Sequence, residues 1–362
     1  MARSYGDQSS VETACFTRRR LSLHNSLPYP RWWILAFCAA GMLIVFGPVF
    51  AAGSHNVKTG ADDFLGLYAS ARLVGTPGLY DADQVRRTQL ETAGVTGPSL
   101  HFSTRLPCFP LMLWPLAQLR YTAAHAIWYL LRFVAVAGFI VLWPHSSRSL
   151  TAVVCCWSLP LAAGLANGQD APLLLFWLAL SQRLEQNGRS FGSGLALSMC
   201  AAKFHLFLLL PLLLLRHRRW AILAGGLTGG MILAGLCCIA GGLDWPVHYL
   251  KTLSDSSIHP NPRIMPNLHG LLSGAPGWLE VGILSATVLG ALVCILRTDY
   301  LTGFTAALAG SLLLSYHAYT ADAVVLVPAL LLIIEYSRVL VVRYAAFVLA
   351  SPFPWLLLLK RR

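Results

Sequence analysis

Charge is what this chain has least of. Only 12% of its 362 residues are Asp, Glu, Lys or Arg, about half the share usual in a soluble domain. Acidic groups are scarcest, 15 against 27 Lys plus Arg, for a net charge of +12. That excess does not point to nucleic acid, because the basic residues sit in clusters between apolar runs, the pattern that orients a chain in a membrane. No C-x-x-C or Cys/His ligand spacing occurs among the nine cysteines, so no disulfide and no metal site is assigned. Cys155-Cys156 and Cys237-Cys238 lie inside apolar runs and read as small core residues. There is no internal repeat, low-complexity segment or soluble second domain.

What fills the chain instead is apolar: 56% of it is hydrophobic, gathered in runs of membrane length. The expected fold is all-α and polytopic, with about 10–12 transmembrane or re-entrant helices and interfacial helices in the first outer loop. Residues 1–31, with Arg18, Arg19, Arg20 and Arg31, read as a cytoplasmic tail, and 32–362 as one transmembrane domain. No small-residue cleavage site follows the first apolar run, so a removed signal is not expected. The basic clusters place the N-terminus in the cytoplasm and the loops 53–105 and 242–277 outside.

Two stretches break the simple pattern. Residues 106–119, LPCFPLMLWPLAQL, contain three prolines and are expected to dip into the membrane from outside. Residues 191–215 could cross once, but both flanks are basic: Arg183 and Arg189 before, Arg216, Arg218 and Arg219 after. Two half-helices meeting near Lys203-Phe204-His205 keep both flanks cytoplasmic. Residues 344–359 either cross again or lie re-entrant or interfacial.

The chemistry-bearing residues gather at the outer side. Asp62 and Asp63 precede a helical pattern of Phe64, Leu67, Tyr68 and Ala71, then Arg72. An Asp there is a helix cap; a carboxylate beside a cavity at the membrane surface is also a general base. Arg72, Arg105, Lys203, His205 and His317 are the cations able to hold an anionic ligand. Lys203 interrupts an apolar run, which costs about 2.5–3.5 kcal/mol at the bilayer centre, unless it snorkels from a half-helix end. Arg72 alternatively pairs with Asp63 or Asp81, an exposed pair worth about 0–1 kcal/mol. Tyr316 and Tyr319 fit an interfacial aromatic belt. His248, His259 and His269 are too far apart for a metal site.

One stretch, 60–81, GADDFLGLYASARLVGTPGLYD, resembles the first outer loop of glycosyltransferase family 87, a group of GT-C-type, polyprenol-phosphate-dependent enzymes. The matching residues are Asp63-Phe64, Tyr68, Ala71-Arg72-Leu73 and Leu79-Tyr80-Asp81. Further on, LPCFP stands where the family has "YPP". Gly168-Gln169 matches its "GQ" turn, and Lys203 before a Leu-rich run matches its "K" segment. Asn267-Leu268-His269-Gly270-Leu271 resembles "N.Sl.gL" with His in place of Ser, and Asp322 to Leu326 matches an Asp before the "lvlL" span.

The resemblance implies a GT-C-like bundle that transfers a hexose, most often mannose, with inversion, from a polyprenyl-phosphate-sugar donor to a lipid or glycan acceptor on the outer face of a bacterial cell membrane. It places the base at Asp63, with Asp62 as the alternative. Together with the cations Arg105 and His205 read from the residues, it places the substrate side at Arg72, Tyr68, Lys203, His317, Gln169 and Asn267. No cofactor is implied, and metal dependence stays open. The competing classes are a transporter or flippase of lipid-linked sugars and a non-catalytic lipid-binding membrane protein. The inverted repeats and paired broken spans common in transporters are not found.

Overall fold

The computed structural model describes residues 31–93, 104–254 and 262–359. The tail before Arg31 with its arginine cluster, the turn at 94–98, His259 and the terminal Lys360, Arg361 and Arg362 lie outside the described residues. The chain divides into a unit of residues 1–37, of which 31–37 are described and helical, and a unit of 38–362 that holds everything below.

Among the described residues there is no strand. Lipid offers no hydrogen bonds to a backbone, and a helix satisfies its own within one segment. α1 (Arg31–Gly41) continues through a π turn, Met42–Phe46, into α2 (Gly47–Ala52); α3 (Ser54–Thr59), α4 (Asp63–Arg72), a 3-10 turn (Pro77–Tyr80) and α5 (Ala82–Ala93) build the described part of the loop 53–105. α6 (Cys108–Ala117) precedes the long α7 (Tyr121–Leu142). α8 (Arg148–Trp157) and α9 (Leu159–Ala166) are two arms bent by 66°. The bend has a local cause: the Ser158 hydroxyl accepts from Leu161 N–H at 3.3 Å, capping α9, and Pro160 has no N–H to extend α8.

α10 (Ala171–Gln186), α11 (Ser190–Ser198), a 3-10 stretch (Met199–Phe207) and α12 (Leu210–Arg216) follow. Then come α13 (Trp220–Gly241), α14 (Trp245–Leu253), α15 (Leu268–Leu271), α16 (Gly277–Arg297), α17 (Tyr300–Leu314), α18 (Leu326–Tyr336), α19 (Leu340–Ala350) and α20 (Phe353–Leu359).

Four segments, Trp32–Ala52, α7, α13 and α16, are long and apolar enough to cross a membrane, or six if each bent pair is one span. α6, α17 and α19 are apolar but shorter. Large apolar side chains such as Leu130, Val134, Leu227, Met231, Val281 and Leu289 stay exposed on the outer faces of the long helices, where lipid takes the place of water. The chain is a multi-pass, all-helical membrane protein. Residues 344–359, which had two possible paths, are split at Ser351-Pro352 into α19 and α20, neither long enough to cross alone.

Residues 190–216 form two arms bent by 111°, with the break after Phe207 rather than at Lys203-Phe204-His205. Lys203, at φ −134° and ψ 59°, leaves helical geometry within the 3-10 stretch of the first arm. Arg219 Nη1 reaches Glu185 Oε1 at 3.0 Å, so both basic flanks share one end of the bundle. At that end Arg183 Nε also donates to Leu142 O at 3.0 Å and Arg216 Nε to Leu296 O at 2.9 Å. The packing of α11 on α13 is backbone to backbone. A Cβ on Gly194 would stand 2.0 Å from Ile222 O, and one on Gly225 2.0 Å from Phe191 O. Small residues do this in membranes because lipid supplies no hydrophobic drive between helices.

Candidate active site

α4 begins the site. Asp62, with extended backbone, accepts Phe64 N–H on Oδ1 at 3.1 Å and so caps α4. Its Oδ2 lies 3.0 Å from His125 Nε2 and 3.1 Å from the Tyr129 hydroxyl. Asp62 is buried; Asp63, the first residue of α4, is half-buried, and its N–H donates to Asn167 O at 3.0 Å. Phe64 stacks between Trp128, 5.3 Å between ring centres, and Tyr121, 5.9 Å. The Tyr68 hydroxyl donates to Leu119 O at 2.7 Å and Arg72 Nη1 to Ala117 O at 2.9 Å. Both therefore tie α4 to the carbonyls left open at the end of α6.

The turn joining α9 to α10 is the platform under these carboxylates. Trp128 Nε1 donates to Gly168 O at 2.8 Å, and Arg132 Nη1 to Gly164 O at 3.1 Å and Leu165 O at 2.9 Å. The Tyr129 hydroxyl also lies 3.1 Å from Ala166 O, so its single proton serves this carbonyl or Asp62. Gly164, Leu165 and Ala166 supply the last carbonyls of α9, the negative end of its dipole. Arg132 is wholly buried, with its guanidinium 4.0 Å from the centre of the Tyr129 ring. Gly168 has φ +73°, and a Cβ there would lie 2.5 Å from Asp62 Cγ. Glycine is thus needed twice, for the turn and for the seat of Asp62. Gln169 is buried, and its Oε1 has no hydrogen-bond partner.

Beside the platform lies a buried ion chain. Arg105 holds Asp170 through two bonds, Nε to Oδ2 at 2.6 Å and Nη2 to Oδ1 at 2.8 Å. Lys203 Nζ sits 3.2 Å from Asp170 Oδ1 and hydrogen-bonds Asp322 Oδ1. Asp322 Oδ2 in turn accepts Tyr319 N–H at 2.8 Å. The Lys203, Asp170 and Asp322 side chains are at most 2% exposed. Burial alone would raise the Asp170 pKa; the charges of Arg105 and Lys203 outweigh it and hold the carboxyl well below its usual range. Lys203 neither snorkels nor presents an open amine, since two carboxylates enclose it.

His205 is within electrostatic range of Asp322, Lys203, Arg105 and His317, and its Nε2 is buried without a partner. His317 meets the Tyr319 ring edge-on at 4.9 Å. Asp63 is within range of Arg105 and Tyr319. Burial, then Asp63 and Asp322, push the Tyr319 phenol up to about 12, so it stays a donor. Asn267 caps α15, accepting Gly270 N–H at 2.8 Å, and donates Nδ2 to Ser315 O at 2.6 Å. Among the described residues no group of three or more His, Cys, Asp or Glu is placed to hold a metal ion.

The structure thus brings Asp63, Arg105, Lys203, His205 and His317 into one region, with Gln169 on the adjoining turn. Tyr68, Arg72 and Asn267 act on backbone at its edges. Sequence reasoning passed over His125, Tyr129, Arg132 and Asp170. Arg132 carried a signal, since it interrupts an apolar run as Lys203 does and falls under the same insertion argument. Asp170 looked like any turn residue.

No curated protein and no solved structure matches the chain. The model of Glycosyltransferase family 87 matches residues 107–328. That span takes in Gln169, Asp170, Lys203, His205, Asn267, His317 and Asp322, and begins after α4. With a match of this extent on an all-helical membrane bundle, the chain belongs to glycosyltransferase family 87 and is a glycosyltransferase.

Proposed function

We propose that the protein moves a hexose, with mannose the first candidate, from a polyprenyl-phosphate-sugar donor to a hydroxyl of a lipid or glycan acceptor, with inversion. The reaction takes place on the non-cytoplasmic face of a bacterial cell membrane, with the N-terminus in the cytoplasm as the basic clusters demand. Asp63 takes the acceptor proton as the hydroxyl attacks the anomeric carbon. The phosphate leaves with the electrons of the C–O bond and needs no general acid, unlike the leaving alcohol of an inverting glycosidase.

The observation that carries this reading is the position of Asp63, in the same region as Arg105, His205 and the Tyr319 phenol. Asp62 is consumed by the α4 cap, His125 and Tyr129. Asp63, one residue on, is half-buried within range of Arg105 and the Tyr319 phenol. His205, His317 and Arg105 form the phosphate side, the unpartnered Gln169 Oε1 accepts from a sugar hydroxyl, and Lys203 holds Asp170 and Asp322 in place behind them.

Turnover of defined polyprenyl-phosphate sugars by two purified variants tests it. Asp63→Asn should lose about 10²–10⁴ in kcat with folding unchanged, the usual loss for a positioned base. Asp62→Asn should retain most turnover in the folded fraction but unfold more easily, by about 1–3 kcal/mol, because an amide cannot accept on both sides. Near-normal turnover by Asp63→Asn, or a larger kcat loss from Asp62→Asn, would reassign the base. Absence of donor consumption by wild type would reject polyprenyl-phosphate sugars as the donor class.

A further inference from the structure

We propose that Cys108 and Cys237 are a redox pair that closes to a disulfide and locks the strap of residues 104–107, which carries Arg105, onto α13. The pair comes from distant parts of the chain, 129 residues apart, yet Cys108 N–H donates to Cys237 Sγ at 3.3 Å. The two thiols lie within hydrogen-bonding reach of each other. Both are buried in a small cluster of their own with Leu233, against Leu106 and Trp245. A backbone nitrogen this close to the opposite sulfur brings the two residues to the separation that a disulfide spans.

The location gives the pair its consequence. Cys237 stands near the end of α13 where Ala240 O accepts Gly75 N–H at 2.8 Å, the end bearing the first outer loop. Tyr80 of that loop and Tyr249 of α14, 6.2 Å between ring centres, are both within electrostatic range of the two thiols, and the Tyr249 hydroxyl lies 3.5 Å from Thr104 O. Arg105 is three residues before Cys108 in the same strap and holds Asp170 by both bonds. A covalent link at Cys108 therefore fixes the residue that organises one end of the ion chain. In the step itself the two thiols lose two protons and two electrons, an S–S bond forms, and a disulfide oxidant is reduced to two thiols. The outer face of a bacterial cell membrane is an oxidising compartment, so formation in cells rests on the topology given under Proposed function.

The test uses the full-length protein. Free thiols are blocked with N-ethylmaleimide in denaturant, disulfides are reduced, and the new thiols take a heavy maleimide before peptide mass analysis. Protein as isolated should carry the heavy label at Cys108 and Cys237 and show the linked peptide, lighter by two hydrogens. Reductant should lower the unfolding temperature of wild type by roughly 5 °C and leave Cys108→Ser and Cys237→Ser unmoved. If the serine variants fail to fold, the wild-type mass measurement still decides. A pair that is free as isolated but closed by oxidised glutathione upholds the redox pair and rejects the outer-face topology, whatever the turnover assay says. Both thiols remaining open to N-ethylmaleimide after oxidised glutathione would overturn the proposal.

Discussion

The two ends of the bundle use positive charge in opposite ways. At one end Arg183, Arg216 and Arg219 reach carbonyls or Glu185 from half-exposed or exposed positions. At the other end a partly buried Arg105 and a fully buried Lys203 are woven with the buried Asp170 and Asp322 into one ion chain. The first kind of charge orients the chain and is served by any cation in roughly the right place. The second kind specifies geometry, because a buried charge is tolerated only with its own partner at bonding distance.

The largest expected effect tests that contrast directly. Lys203→Met leaves Asp170 and Asp322 facing each other without their shared cation, a loss of about 3–5 kcal/mol of stability, measured as the unfolding midpoint in detergent. Adding Asp322→Asn should recover part of it; a Lys203→Met protein as stable as wild type would erase the distinction between the ends. Next is Gly168→Ala. Alanine at φ +73° is strained, and its methyl displaces Asp62. Together these should lower stability by about 2–4 kcal/mol, and the shift of Asp63 should cut turnover by about 10².

A smaller effect comes from pH. The Asp170 pKa is depressed on folding, so the stability it contributes is present above the unfolded value of about 3.9 and is lost as pH falls towards the folded one. Unfolding temperature should therefore drop as pH is lowered from about 5, and less so in Asp170→Asn. The smallest effect belongs to the other end. Arg219→Gln breaks a pair whose arginine is 41% exposed and should cost about 0–1 kcal/mol; a loss matching that of Lys203→Met would mean the basic end is also geometric.

Much of this was legible one segment at a time. Basic flanks on both sides of 191–215 implied a break within it, and the two arms are bent by 111° with Arg219 back beside Glu185. An Asp before an apolar helix implied a cap, and Asp62 is that cap. The argument that flagged Lys203 applies equally to Arg132, which an otherwise regular span concealed. Its task is also local to the fold rather than to the chain: it closes the carbonyl end of α9, 32 residues away.

By itself the sequence determined the solvent and the helices, because apolar run length acts through the bilayer and requires no knowledge of neighbours. Only the tertiary structure decided which charge meets which. Lys203 finds Asp322 across 119 residues, and Cys108 finds Cys237 across 129. Such pairs carry no local pattern, since the contact is made by two helices arriving at one place. The low dielectric there, where each polar group must find a partner, then fixes what the side chains do.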